Sequence, residues 1–287
     1  WANDWSIFSE PFDDKVFYQF HYYCWNRPDN LNDIQRFIAR REELNTPIWV
    51  GETGEKGNAI YWGTTQYFEQ NNIGWSFWPW KKMDTENTPY SIKKPAGWDA
   101  IAEYSHGGEK PAAESAQKAL GEFLENIKLA NCEYFPEVVN AILRRMPGKV
   151  EAENYGHSGL HKSYLVKDTS EIAKFYRTSE HVPIEIIDAH EEERVSEQCI
   201  RLAEGEWAVY EINQLEKQSY DAVIRLKAEN VPSKFKLTLN GQTKEIELTE
   251  TDWIDKNIGI LEFKHGVNSV KILASSGTIN FDWFIFK

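Results

Sequence analysis

The chain has 287 residues, a formal net charge of -13, 41% hydrophobic and 14% aromatic residues, enough apolar material for one large or two ordinary buried cores. The acidic balance, with no basic stripe interleaved with aromatics, argues against a nucleic-acid partner, because phosphate binding relies on clustered Lys and Arg. No apolar run approaches the roughly 20 residues of a membrane helix, and Cys24, Cys132 and Cys199 lie too far apart for a zinc motif or a dense disulfide framework, so they read as ordinary thiols.

The chain opens on Trp1-Ala2-Asn3-Asp4-Trp5 rather than on a start methionine or a signal segment, so the true start is expected to lie upstream. The first elements then alternate. An aromatic strand is predicted over 16–23, a helix over 31–44 from the spacing of Leu31, Ile34, Phe37 and Ile38, and a strand over 48–50. A helix over 59–71 and a strand over 74–80 follow, and such alternation is the signature of parallel βα units. After Trp98 the pattern turns helical, over 97–105, 112–128 and 136–145, and Pro147-Gly148 marks a break. From Val150 onward the reading is all-β, with short alternating runs such as 207–212, 222–226, 235–239 and 279–286, and Asn240-Gly241 is a strong hairpin signal. Seven or more such runs suggest a β-sandwich.

Two segments carry chemistry. Pro47-Ile48-Trp49-Val50-Gly51-Glu52-Thr53-Gly54-Glu55 places a carboxylate at the end of a buried strand, and Gly74-Trp75-Ser76-Phe77-Trp78-Pro79-Trp80-Lys81-Lys82 is an aromatic platform of the kind sugars stack on. A carboxylate beside tryptophans suits glycoside hydrolysis, in which one acid attacks the anomeric carbon and a second protonates the leaving oxygen. A solvated loop acid is the ordinary alternative for Glu52, a satisfied core histidine for His21, and core packing for many of the twelve tryptophans. Glu55 is the lesser acid, read as a loop or helix-start residue. Strand alternation predicts that Trp78 and Trp80 share a face and that Trp75 points the other way.

Three motifs make residues 1–105 resemble the C-terminal part of a glycoside hydrolase family 5, cellulase-type barrel: Phe20-His21-Tyr22-Tyr23, Gly51-Glu52-Thr53-Gly54 and Phe77-Trp78-Pro79-Trp80. The resemblance implies a partial (β/α)8 TIM barrel containing only the last strands and helices. It makes Glu52 the nucleophile, with His21 and Tyr23 beside it and Tyr23 hydrogen-bonded to Glu52. Trp78 becomes a substrate-binding residue; Trp80, expected on the same face, and Trp25, at an outer subsite, are read with it, a hydrophobic lid being the equal alternative for Trp25. The acid/base Glu of that family has no counterpart in the chain, and retaining hydrolysis needs two carboxyl groups about 5 to 5.5 Å apart. The chain alone is therefore expected to be inactive, with a missing N-terminal barrel segment, from the same gene product or a second chain, as its partner.

The remainder resembles carbohydrate-binding modules of families 6 and 35. Val150-Glu151-Ala152-Glu153-Asn154-Tyr155 opens the match and Asn280-Phe281-Asp282-Trp283-Phe284 closes it. Phe175-Tyr176-Arg177, Val182-Pro183-Ile184-Glu185 and Gly205-Glu206-Trp207-Ala208-Val209-Tyr210 fall between in order. This implies a C-terminal jelly-roll β-sandwich over 149–287, joined by a helical linker region over 106–148. It also implies a structural Ca²⁺ held by Glu151, Glu153 and Asp282, an oxygen-ligand set that suits that ion, although plain surface acids would read the same. Trp253 and Asn280 become sugar-binding residues, while Cys199 stands where the module's aromatic partner is expected.

The expectation is a retaining hydrolase of β-linked polysaccharide or oligosaccharide, most simply a β-glucan, needing no cofactor for catalysis. It would work outside the cell, at the cell surface or in the periplasm, with no nucleic-acid or membrane partner. The alternative is a non-catalytic carbohydrate-binding or structural module on an incomplete barrel.

Overall fold

A computed structural model describes residues 3–6, 9–23, 31–173, 176–190 and 195–287. The first part runs β1 (Tyr18–His21), a 3₁₀ turn (Leu31–Ile34), α1 (Gln35–Leu44), β2 (Ile48–Gly54), α2 (Asn58–Gln70) and β3 (Gly74–Trp78). The three strands form one parallel sheet in the order β1-β2-β3. Of the (β/α)8 barrel expected from sequence, only this parallel sheet and its two helical crossovers stand among the described residues. Tyr18, Phe20, Ile48 and Val50 alternate onto the helix-covered face, where Phe20 stacks on Phe37 of α1 at 4.0 Å. Edge strand β1 is capped by side chains: Asn3 Nδ2 donates to the His21 carbonyl at 2.9 Å, its Oδ1 accepts from the His21 amide at 2.8 Å, and Trp5 Nε1 donates to the Gln19 carbonyl at 3.1 Å.

The second part comprises β4 (Lys81–Met83), β5 (Tyr90–Ile92), α3 (Trp98–Ser105), α4 (Ala113–Asn126), β6 (Glu133–Tyr134) and α5 (Pro136–Leu143). Here the expected linker over 106–148 differs from its sequence reading. β6 pairs with β5, and α5 buries Val138, Ala141 and Ile142 against Tyr61 of α2, so the C-terminal end of the stretch is packed while most of 106–134 faces solvent.

The third part comprises β7 (Gly148–Glu151), β8 (Tyr164–Leu165), β9 (Ile184–His190), β10 (Val195–Leu202), β11 (Trp207–Gln214) and β12 (Gln218–Ala228). It continues through β13 (Ser233–Leu239), β14 (Gln242–Leu248), β15 (Ile254–Phe263), β16 (Gly266–Ser276) and β17 (Ile279–Phe286). One sheet has the order β15-β12-β17-β10-β9, with β7 also on β17, and the other the order β14-β13-β16-β11-β8. They face each other as a β-sandwich around Tyr210, Phe235, Phe263, Phe281, Phe284 and Phe286. Asn240 and Gly241 take φ of 51° and 89°, the left-handed pair that a two-residue hairpin between β13 and β14 requires.

Helix α2 joins the parts. Eight consecutive residues, Tyr61 to Phe68, are buried, whereas a surface helix buries one stripe. One flank meets the parallel sheet and another α5, where Thr65 Oγ1 donates to the Ile142 carbonyl at 3.0 Å. A third meets the sandwich: Gln70 Oε1 accepts from the His157 amide at 2.6 Å, and the Tyr67 and His157 rings meet edge-on at 4.8 Å. Burial, then the Arg177 charge, holds the His157 imidazole down to about 4, so it stays neutral in the interface. At Gly63 the backbone comes so close that a Cβ would sit 2.7 Å from both Asn154 Oδ1 and Tyr176 Oη. No helix among the described residues is long and apolar enough to cross a membrane.

This packing makes the parallel sheet and the sandwich one cooperative unit. Heat unfolding followed by calorimetry is expected to show one transition, which Gly63→Val lowers as a whole by an overpacking cost of about 1–3 kcal/mol. Two transitions, with only one displaced by the substitution, would show that the parts unfold separately.

Candidate functional site

The first candidate site lies at the C-terminal end of the parallel sheet. β2 carries one extra residue against both neighbours: Val50 pairs with Phe20 and Glu52 with His21, while Val50 and Thr53 pair with Trp75 and Phe77 across a gap of one residue. The bulge falls at Gly51-Glu52 and re-aims Glu52 onto the face that carries Gln19, His21, Trp49 and Ser76, away from the helices. At Gly51 an added Cβ would lie 2.5 Å from Gln19 Oε1 and 3.1 Å from His21 Nε2, so a larger residue there would displace the Gln19 side chain.

Glu52 Oε2 accepts a 2.5 Å hydrogen bond from the Tyr23 hydroxyl and lies 3.3 Å from His21 Nδ1. Burial, reinforced by the Glu52 carboxylate, drives the Tyr23 phenol well above its ordinary range, so it remains a proton donor to Glu52. The structure thus brings Glu52, His21 and Tyr23 together. Glu55, at a φ of 59°, is bound instead to Lys82 Nζ at 2.7 Å.

Trp78 pairs with Gly54 on the same open face and is 49% exposed, whereas Trp75 packs inward and donates to Glu69 Oε1 at 3.2 Å. The alternation expected to place Trp80 beside Trp78 stops short of it, because β3 ends at Trp78. Trp80 belongs to the small sheet and rests on Tyr90, centroid to centroid 5.9 Å. Trp25, and Phe175 of the module motif, lie outside the described residues.

The second candidate site is a row across the outer face of the larger sandwich sheet. Asn280 pairs with Lys227 on one side and Arg201 on the other. Trp253 enters β15 beside them, with Lys227 Nζ 5.0 Å and Arg225 Cζ 5.8 Å from its ring centroid. Arg201 grips Glu229 through two bonds of 2.7 and 3.0 Å, which hold the Glu229 carboxyl below its usual range, and Asn280 Nδ2 donates to Glu229 at 3.3 Å. Asn280 Oδ1 is buried and has no hydrogen-bond partner among the described residues. Lys227, Arg201 and Glu229 were not singled out from sequence; the alternation of polar residues on β10 and β12 was the available signal, but it marks any solvent-facing strand. Cys199 is buried, and desolvation followed by the Glu185 charge pushes its thiol up to about 12, so it is a protonated packing residue rather than a cleft wall.

Behind this row lie the acids expected to hold calcium. Asp282 is an extra residue in β17, between Phe281 opposite Leu226 and Trp283 opposite Arg225, and β7 sets Glu151 against Trp283. Burial raises all three carboxyls, Asp282 to about 6, and after burial Glu151 is the next cause of the rise at both Glu153 and Asp282. Lys149 Nζ meets Glu151 at 2.9 Å and Arg225 Nε meets Asp282 at 3.1 Å, while buried Glu153 Oε2 has no hydrogen-bond partner among the described residues. Among the described residues no three carboxylate, thiol or imidazole groups converge on one point as a metal cage. The donor chemistry fits a hard cation; in the present arrangement two basic side chains occupy part of the ligand set.

No protein-family model matches the chain, and no curated protein is similar to it. Among solved structures, a Podospora anserina GH26-CBM35 beta-(1,4)-mannanase overlaps 48% of this chain and 27% of its own, at 15% identity and a TM-score of 0.33. A carbohydrate-binding module CBM36 in complex with calcium and xylotriose overlaps 48% of this chain and 98% of its own, at 16% identity and a TM-score of 0.33. A family 35 carbohydrate binding module from an environmental isolate overlaps 30% of this chain and 67% of its own, at 22% identity and a TM-score of 0.27. The chain thus spans about a quarter of the mannanase. Overlaps this loose fix no ligand for it.

Proposed function

We propose that this protein binds neutral polysaccharide outside the cell through its β-sandwich. The observation that carries this reading is the row Trp253, Lys227, Asn280 and Arg201. It sets side by side on one sheet an aromatic face, a buried amide oxygen with no partner among the described residues, the Lys227 ammonium and an Arg201 guanidinium balanced by Glu229. Sugars present the same mixture, with apolar C–H faces that stack on a ring and hydroxyls that satisfy amide and charged groups. Retardation of the 287-residue chain in native gels containing soluble β-glucan is expected, and Trp253→Ala is expected to remove about 90% of the affinity. Equal retardation of the variant would remove this row from the account.

A second reading, a retaining glycoside hydrolase of the family 5 type, is favoured by Glu52 on the open face with Tyr23, His21 and Trp78. Glu52 would be the nucleophile, oriented by the Tyr23 hydroxyl. The other acid at that strand end, Glu55, is neutralised by Lys82, so the proton donor would come from a barrel segment beyond the described residues. The chain alone is expected to release no reducing sugar from β-glucan, and release abolished by Glu52→Gln would replace the binding reading with the catalytic one.

The carboxylates Glu151, Glu153 and Asp282 are proposed to take a structural Ca²⁺ once Lys149 and Arg225 swing aside. Protons compete for the same oxygens, and the Asp282 carboxyl takes one up at about pH 6. Calcium added to chelated protein should therefore raise the melting temperature at pH 7.5 and much less at pH 5, below that value. Comparing the two metal states at each pH cancels the opposing effect of His157, whose lowered value costs stability as pH falls from about 6.5 towards 4. An identical melt with and without calcium at pH 7.5 would leave the three acids as a plain buried cluster.

A further inference from the structure

The small sheet formed by β4, β5 and β6 carries an aromatic strip that the site around Glu52 does not use. Trp80, at the entry to β4, rests on Tyr90 of β5 at 5.9 Å between centroids, and Tyr90 rests on Tyr134 of β6 at 5.0 Å. The two ends are open to solvent, Trp80 at 57% and Tyr134 at 48%, and Tyr90 between them is half-buried. Three rings from segments far apart in sequence are held in line by register, since Tyr90 is the direct partner of both Lys81 and Tyr134. Aromatic rings at this separation normally serve to bury one another. Here the two outer rings stay exposed.

We propose that this strip is a subsite for an extended neutral glycan, laid out from the Trp78 end of the parallel sheet across the small sheet. The inference rests on the carbohydrate reading of the protein and adds a binding surface separate from the sandwich row. Charge chooses the ligand. The acid and hydroxyl next to the tyrosines, Glu133 and Ser91, alternate to the other face, where they line a separate polar cleft with Asp84, Glu86 and Asn87. Lys81 is tied by its ammonium group to the Ile127 carbonyl. The strip therefore offers ring faces and phenol hydroxyls beside a single cation, Lys81, whose ammonium is already engaged by a backbone carbonyl, which suits pyranose C–H faces and hydroxyls. Nearness along the chain supplies the direction: Trp78, which shares the open face with Glu52, closes β3 two residues before Trp80, where the chain crosses to the small sheet.

Length dependence tests the proposal, because a strip of successive rings rewards a long ligand over a short one. Titration calorimetry would use the full chain carrying Trp253→Ala, so that the sandwich row is silenced, with β-1,4-linked gluco-, manno- and xylo-oligosaccharides of two and of six units. The hexasaccharide that binds is expected to lose about three- to tenfold in affinity on adding Tyr134→Ala or Trp80→Ala, with disaccharide binding unchanged, while Tyr134→Phe keeps most of it. Near-ultraviolet circular dichroism checks that each variant is folded. Unchanged hexasaccharide affinity in both alanine variants, or loss of all binding with Trp253→Ala alone, would overturn the strip and leave the sandwich reading standing. Absence of binding by the unsubstituted chain to every oligosaccharide and to soluble β-glucan would overturn both.

Discussion

The burial of α2 on every side is the constraint on which the rest of the structure depends. A helix with Tyr61 to Phe68 all out of water needs a wall on each flank, and the parallel sheet, α5 and the sandwich supply one each. Some of the polar groups it brings inside are matched where they land: Thr65 Oγ1 is shared between the Ile142 carbonyl and Arg144 Nη1, and Arg144 also meets Glu69, whereas both polar atoms of the buried Gln66 amide have no hydrogen-bond partner among the described residues. The sandwich fastens to the same corner, with the Asn213 amide donating to the Arg144 carbonyl at 2.8 Å and the Tyr220 hydroxyl to the Met146 carbonyl at 3.0 Å. A single buried core therefore runs from Phe20 on the parallel sheet to Phe286 on the last strand. The sandwich is held as a wall of the first part, and a glycan bound to it would be carried at a fixed attitude to Glu52.

Both acidic sites arise at irregularities in otherwise regular strands. In β2 the extra residue at Gly51-Glu52 turns a carboxylate that alternation would bury against the helices onto the open face. In β17 the extra residue is Asp282 itself, which stays buried and close enough to Glu151 and Glu153 for their charges to interact. A bulge costs ladder bonds and twists the strand, so it persists where neighbouring packing holds it. Here the holders are Asn3 and Tyr23 around the first bulge and Arg225 and the pairing of β7 with β17 around the second. The two sites differ in how their charge is compensated. Glu52 is partnered by a phenol and an imidazole, whereas the β17 cluster is desolvated carboxylate against carboxylate, relieved by Lys149 and Arg225.

Local chemistry was legible in the sequence. The apolar spacing of Leu31, Ile34 and Phe37 set the first helix, the Asn240-Gly241 pair set its hairpin through two left-handed residues, and the alternation of 207–212 and 235–239 set sandwich strands, because each of these depends only on residues a few positions apart. The neighbourhood of Glu52 with His21 and Tyr23 came from the family resemblance; β1, which ends at His21 two residues before Tyr23, lies beside β2. What tertiary structure decided was everything that depends on register and on packing between distant segments. The face on which Glu52 emerges is set by one inserted residue, which composition cannot reveal. Trp80 joins Tyr90 and Tyr134 rather than Trp78 because the chain leaves one sheet for another at Pro79. Lys227, Arg201 and Glu229 gather around Asn280 only when β12, β17 and β10 lie side by side, and α5 packs because α2 leaves it a surface to cover. Periodicity reports what a segment can bury; only the assembled neighbours fix what it is buried against.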